Sequence, residues 1–301
     1  DSSLPVVGDL AAGGTLANSR VVPVTTAGRY SVTITTDQAD THFEHNSSGH
    51  LAAEQNNSTQ SFFDVFVDLT VENLSVTPSS PQSGNQITVQ WDTTNTGNIA
   101  ANATFSDRVT IVNSATGVTL VNTTLLYNPA TGGNGAIVPG TSRTRQYNLT
   151  LPHGLAGTGL LNIQVTTDSG NALAERNPAG TAESNNVTAT SVTSTTAPYP
   201  DLTVTNLTIT PSTGVQTGNT ITVGWDVQNN GDGATNGSFY DRISIVNTST
   251  GQTLRTDNIY YNEATAGNGS ILAGQNRSRQ YSYTLPNGSS GAGDIAVTLT
   301  T

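Results

Sequence analysis

Ile87-Thr-Val-Gln-Trp91-Asp92, followed by Asn95-Thr-Gly97, decides how this chain is read. Apolar and polar side chains alternate through the run, which is the period of a strand with one buried face. An Asn-Thr-Gly turn then stops it. The run returns as Ile221-Thr-Val-Gly-Trp225-Asp226 with Asn229-Asn-Gly231 behind it. Phe105-Ser-Asp107-Arg108 returns as Phe239-Tyr-Asp241-Arg242, and Arg143-Thr-Arg145-Gln-Tyr147 as Arg277-Ser-Arg279-Gln-Tyr281. Between Asn85 and Thr167, 41 of 83 positions are identical to those 134 residues later. Such identity is a duplication, and its unit of about 133 residues has the size of an independent domain rather than of a solenoid repeat.

A third, partial copy opens the chain. Ile34-Thr-Thr-Asp37 matches Val165-Thr-Thr-Asp168, and Glu54-Gln-Asn56-Asn57 matches Glu183-Ser-Asn185-Asn186. The expected organisation is therefore the back part of a module in residues 1–66, a complete module in 67–199, and in 200–301 a module without its last hairpin. A sequence out of phase with its own repeat is expected to be either a window on a longer array or a subunit whose ends are completed by neighbouring copies.

In the complete module, alternation predicts strands over 68–75, 86–94, 104–113, 118–127, 142–151, 159–167 and 187–193, and no window supports a long amphipathic helix. Turn clusters such as Pro78-Ser-Ser-Pro81, Ala115-Thr-Gly117 and Asn177-Pro-Ala-Gly180 separate them. The fold class is all-β: tandem Ig-like β-sandwich modules of about seven strands each. Trp91 and Trp225 are placed between the sheets. With no Cys in the chain, apolar packing must hold each sandwich without a disulfide.

The strand ending in Trp, the Asn-Thr-Gly turn, the Asp107-Arg108 strand and the closing Asp168…Asn171…Glu175…Glu183-Ser-Asn185-Asn186 together resemble the bacterial cell-adhesion-related domain, CARDB. Val67-Asp68-Leu and Pro200-Asp201-Leu are similar to that family's first strand. The resemblance extends over two and a half modules. The closing hairpins depart from it, being lengthened by Asn177-Pro-Ala-Gly180 and by His45-Asn-Ser-Ser-Gly49. It implies an Ig-like sandwich in a secreted or surface-anchored protein, used for adhesion or as a spacer; it does not imply an enzyme.

Composition narrows the function classes. The 301 residues carry 10 Arg, no Lys and 21 Asp+Glu, a net charge of −11, so a nucleic-acid partner lacks its electrostatic term. No apolar run approaches the ~20 residues of a membrane helix. Without Cys there is no thiolate metal site or Cys nucleophile, and without Lys no Schiff base. No Gly-x-Ser-x-Gly elbow stands on a strand–helix turn. Abundant Thr, Ser and Asn between Val and Ile suit the outward faces of extracellular strands.

Oxygen-bearing side chains gather on the closing turns: Asp37, Asp40, Glu44 and Glu54 in the first copy, and Asp168, Asn171, Glu175 and Glu183 in the second. Such a set suits calcium, which takes 6–8 oxygen ligands. The competing reading is turn residues bonding their own backbone. His42, His45 and His50 lie near Glu44, but the second copy lacks these His, which favours exposed loop residues over zinc. Arg143 and Arg145, like Arg277 and Arg279, share a strand face, where two guanidinium groups suit a carboxylate of a neighbouring module or an acidic glycan. Asn-x-Ser/Thr triplets at Asn73, Asn102, Asn122, Asn148, Asn186, Asn206 and Asn236 are glycan acceptors where the secretion machinery has the enzyme.

The expected function is that of a structural and adhesive extracellular repeat protein, a rod or filament of tandem sandwiches, with strand donation between copies as its assembly mode. Its partners are then copies of itself or adjacent modules, and surface polysaccharide. Two alternatives stand beside it, a segment of a giant monomeric adhesin and a carbohydrate-binding accessory module. The second would use Tyr127, Tyr260 and Tyr261 as a sugar platform, unless these rings pack on their own sheets.

Overall fold

The computed structural model describes residues 10–301. It divides into two compact units: one comprises residues up to 81 with 85–151 and 159–194, the other residues 82–84, 152–158 and 195–301. The first unit takes in the opening hairpin together with most of residues 67–199.

The first unit holds β3 (Leu69–Thr77), β4 (Gln86–Asn95), β5 (Phe105–Asn113), β6 (Val118–Tyr127), β7 (Ser142–Thr150), β8 (Gly159–Thr166) and β9 (Val187–Ser194). These are the seven expected strands. They form one sheet in the order β3-β4-β7 and another in the order β6-β5-β8-β9. Alternation sets what each face buries. Ile87, Val89 and Trp91 of β4, Val109 and Ile111 of β5, and Leu161, Ile163 and Val165 of β8 are all fully buried in one apolar core. Burial at about 25 cal/mol per Å² of apolar surface supplies the driving force in a chain without cross-links.

The second unit repeats the plan with β10 (Leu202–Thr210), β11 (Thr220–Asn229), β12 (Phe239–Asn247), β13 (Gln252–Tyr261), β14 (Asn276–Thr284) and β15 (Ile295–Thr300). Its sheets run β10-β11-β14 and β13-β12-β15, so no described strand takes the place of β9. Both copies carry the same irregularity in their first strand. Asn73 has φ +51° and Asn206 has φ +52° where the register shifts, a region Asn tolerates better than most residues. Each side-chain amide donates to the strand alongside, Asn73 to Asp92 Oδ2 at 2.8 Å and Asn206 to Asp226 Oδ2 at 2.7 Å.

The opening partial copy is a two-stranded hairpin, β1 (Gly28–Thr35) with β2 (Ser58–Val65), enclosing a short helix α1 (His50–Glu54). Its closing pair Thr35–Ser58 corresponds to Thr166–Val187 of β8 and β9. Val32 and Ile34 are 45% and 60% exposed, whereas their counterparts Ile163 and Val165 are fully buried. Among the described residues, the apolar side chains of this hairpin are thus not covered as their counterparts in β8 are.

Candidate functional site

The turn after β8 is built on a carboxylate. Asp168 adopts φ +40°, and its two oxygens accept the backbone N–H groups of Ala172 at 2.9 Å and Leu173 at 2.8 Å. Asp37 repeats the device at φ +43°, accepting from Thr41 N at 2.9 Å, Thr41 Oγ1 at 2.7 Å and His42 N at 2.8 Å. The Thr41 N–H holds Asp37 below its ordinary carboxylate range. Burial pushes Asp168 up instead, against the N–H groups of Leu173 and Ala172. Both aspartates therefore act as turn caps for their own backbone, as does the amide-bonded geometry of Asn and Asp turns generally. Asn171 and Asp40 follow in the left-handed region, at φ +49° and +50°.

Beyond that turn, the closing loop folds onto the start of β3. Glu175 Oε2 accepts the Leu69 N–H at 2.5 Å, and Oε1 accepts Asn186 Nδ2 at 3.2 Å. Burial drives the Glu175 carboxyl up to about 8, with Asp168 and Glu183 adding like charge and the Leu69 N–H opposing. Glu183 Oε1 accepts the Glu175 N–H at 3.3 Å. Asp68 is buried at the centre, accepting Asn185 Nδ2 at 3.0 Å, Asn177 Nδ2 at 3.2 Å and Thr96 Oγ1 at 2.9 Å. A cavity of about 520 Å³ opens beside the loop and is lined by Asp64, Phe66, Glu175, Arg176 and Glu183. Of the expected oxygen set, the structure thus brings Asp168, Glu175 and Glu183 into one loop and adds Asp68. In the sequence Asp68 stood out by its repetition as Asp201, which is exposed, and by its place in the first-strand motif.

In the opening hairpin the corresponding set is dispersed among local contacts. Asn57 Nδ2 donates to Glu54 Oε2 at 3.2 Å, and His50 Nδ1 lies 2.6 Å from the backbone oxygen of Glu44 and 3.5 Å from Glu54 Oε1. His42 and His45 are exposed. Among the described residues, no group of three or more His, Cys, Asp or Glu is arranged to hold a metal ion.

The paired arginines are engaged inside their own modules. Arg143 donates to the backbone oxygens of Asn134 at 2.6 Å, Ser142 at 2.9 Å and Ala136 at 3.1 Å, so it braces the β6–β7 loop. Arg277 does the same with Asn268, Asn276 and Ser270. Arg145 Nε sits 3.3 Å from Asp107 Oδ2, and Arg279 NH1 sits 3.0 Å from Asp241 Oδ2. Asp107 and Arg108 face opposite sides as expected, the first buried and the second exposed.

Two further expectations separate by burial. Tyr127 and Tyr261 are buried and stack on Phe105 and Phe239, so they pack on their own sheets, whereas Tyr260 is exposed. Asn186 is buried, while Asn73, Asn102, Asn122, Asn148, Asn206 and Asn236 are exposed.

Residues 66–190 match the family model described as CARDB. No curated protein matches the sequence. Among solved structures, the CARDB domain of a Pyrococcus furiosus protein, determined in complex with di-metal ions, is 24% identical, with 45% of this chain and 99% of that chain covered and a TM-score of 0.32. A domain from Methanosarcina acetivorans, provisionally described as a cell surface protein, is 21% identical over 43% of this chain and 92% of that chain, with a TM-score of 0.27. A β-glucosidase from Erythrobacter marinus is 15% identical, with 42% of this chain and 15% of that chain covered and a TM-score of 0.27.

Proposed function

We propose, with residues 66–190 as a CARDB module, that this chain is a structural and adhesive part of an extracellular surface protein and not an enzyme. The observation that carries this is the duplicated sandwich itself. Polar side chains cap turns and bridge sheets, and the two copies repeat the Trp–Asp, Arg–Asp and Asn–Asp bonds. Among the described residues no helix is long and apolar enough to cross a membrane. Beads coated with residues 1–301 should adhere to surfaces of the source cells or their neighbours above beads coated with an unrelated sandwich. Equal adhesion of both bead types would sink the reading.

Strand addition, from another copy or an adjacent module, is the assembly mode that goes with this reading, with the edge of β15 as its acceptor. A labelled peptide of residues 187–199 should bind the full chain through this edge, and Thr298→Pro should weaken it tenfold. Absence of binding at high micromolar peptide would refute strand addition there.

Calcium is the second reading. It is favoured by the acidic residues Asp64 and Glu183 in the lining of the cavity at the closing loop. Calcium should raise the melting temperature relative to EDTA, and Glu183→Gln should abolish the difference; identical melting in both buffers would exclude it.

A further inference from the structure

The outer face of the second sandwich differs from that of the first in a way its fold does not require. Tyr240 on β12 and Tyr260 on β13 stand directly opposite one another, with ring centroids 4.8 Å apart. They are 60% and 51% exposed. Their counterparts in the first sandwich, 134 residues earlier, are Ser106 and Leu126. Two copies of one sandwich therefore fold with or without the rings, so neither core packing nor strand pairing accounts for them.

A cation stands beside these rings. Arg242 follows Tyr240 by two residues on the same outward face, roughly 7 Å along the strand at about 3.4 Å per residue. It pairs across the sheet with Asn258 on one side and Thr300 on the other. In the first sandwich the equivalent Arg108 donates from Nε to Asn122 Oδ1 at 2.8 Å. The second sandwich has Thr256 in place of Asn122, and among the described residues no hydrogen bond or ion pair takes the Arg242 guanidinium. Both aromatics and the released guanidinium thus arise on one face of one copy.

We propose that the face formed by Tyr240, Tyr260, Arg242 and Asn258 binds pyranose rings of a neutral polysaccharide. The apolar C–H face of a pyranose packs on an exposed aromatic ring, and the phenolic hydroxyls, the planar guanidinium fork and the Asn amide meet the ring's equatorial hydroxyls. The −11 net charge of the chain disfavours a polyanion, which selects a neutral sugar over an acidic one. Tyr and Arg are also the residues that most often carry binding energy at surfaces. The inference deepens the adhesive reading by naming a ligand class. It rests on that reading only in placing this face outside the cell.

The test is affinity electrophoresis of the full chain in native gels containing hydroxyethylcellulose, xylan or galactomannan, with alginate as the acidic counterpart. Retardation is expected in at least one neutral gel. The double variant Tyr240→Ser/Tyr260→Leu, which installs the residues the first sandwich already folds with, should melt as the parent does and lose retardation at least tenfold. Arg242→Ala should lose it severalfold. No retardation in the three neutral gels, retardation by alginate alone, or unchanged retardation of the double variant would each overturn the proposal. The outcomes separate it from the adhesive reading. Beads carrying the double variant that still adhere would remove only the sugar site, and parent beads that fail to adhere would remove only the cellular role.

Discussion

Trp91 donates its indole N–H to Asp107 Oδ2 at 3.0 Å, and Trp225 repeats the bond to Asp241 Oδ2 at the same 3.0 Å. Trp91 belongs to the β3-β4-β7 sheet and Asp107 to the β6-β5-β8-β9 sheet, so the bond crosses the sandwich. Arg145, from the same sheet as Trp91, adds the ion pair to the same carboxylate oxygen. A buried carboxylate held by both a ring N–H and a guanidinium thus ties the sheets together in a chain that has no cysteine.

Removing that carboxylate leaves the Arg145 charge without its partner in a site where its side chain is only 10% exposed. Asp107→Ala should cost about 3–5 kcal/mol, because breaking one side of a buried pair strands the other charge. Urea unfolding measures it. A loss under about 1 kcal/mol would mean that apolar packing alone joins the sheets.

Asp107 Oδ1 is separately satisfied by Thr167 Oγ1 at 2.8 Å. Thr167→Val keeps the shape and deletes the donor, so it should cost about 1–2 kcal/mol. A double-mutant cycle with Asp107→Asn should show coupling, and strict additivity would refute the link.

Gly97 is required by the chain passing over it. A Cβ there would lie 2.4 Å from the Phe66 backbone oxygen, and one at Gly231 would lie 2.2 Å from that of Tyr199. Gly97→Ala should destabilise by about 1–3 kcal/mol or more, since backbone must move. Gly132→Ala, with open space around it, is the control. Equal melting of the two variants would contradict the steric account.

Glu175 makes stability depend on pH. Its carboxyl is raised to about 8 from 4.5. The folded state therefore keeps a proton that the unfolded chain releases above about 4.5, and stability falls as pH rises from there towards 8. Buried Asp168 acts with the same sign, so the readout is a difference. In EDTA buffer, Glu175→Gln should flatten part of the slope seen in the parent. Parallel slopes would show that Glu175 does not carry it.

The legible part of this protein is local. Alternation in Ile87–Trp91 and its echo in Ile221–Trp225 gave the strands, because a period of two is a property of neighbouring residues. The expected strand windows agree with β3 to β9 to within two residues at each end. The Asp37 and Asp168 turns were also local, and the competition between calcium and backbone capping could be posed from the clustering of acidic residues.

What spacing could not supply was the partner of each polar side chain. Arg145 and Asp107 are 38 residues apart, and Asp68 and Asn185 are 117 apart. Their meeting depends on which strands pair and in what register. The same holds for exposure. Tyr260 and Tyr261 are adjacent in sequence, yet one is 51% exposed and the other 2%. A strand sends successive side chains to opposite faces, and only the docking of the second sheet decides which face becomes the core. The sequence by itself determined the strands, the repeat and the sandwich. The tertiary structure decided which carboxylates are buried, which arginines are spent and which tyrosines meet solvent, because burial and long-range pairing arise only when the two sheets close on each other.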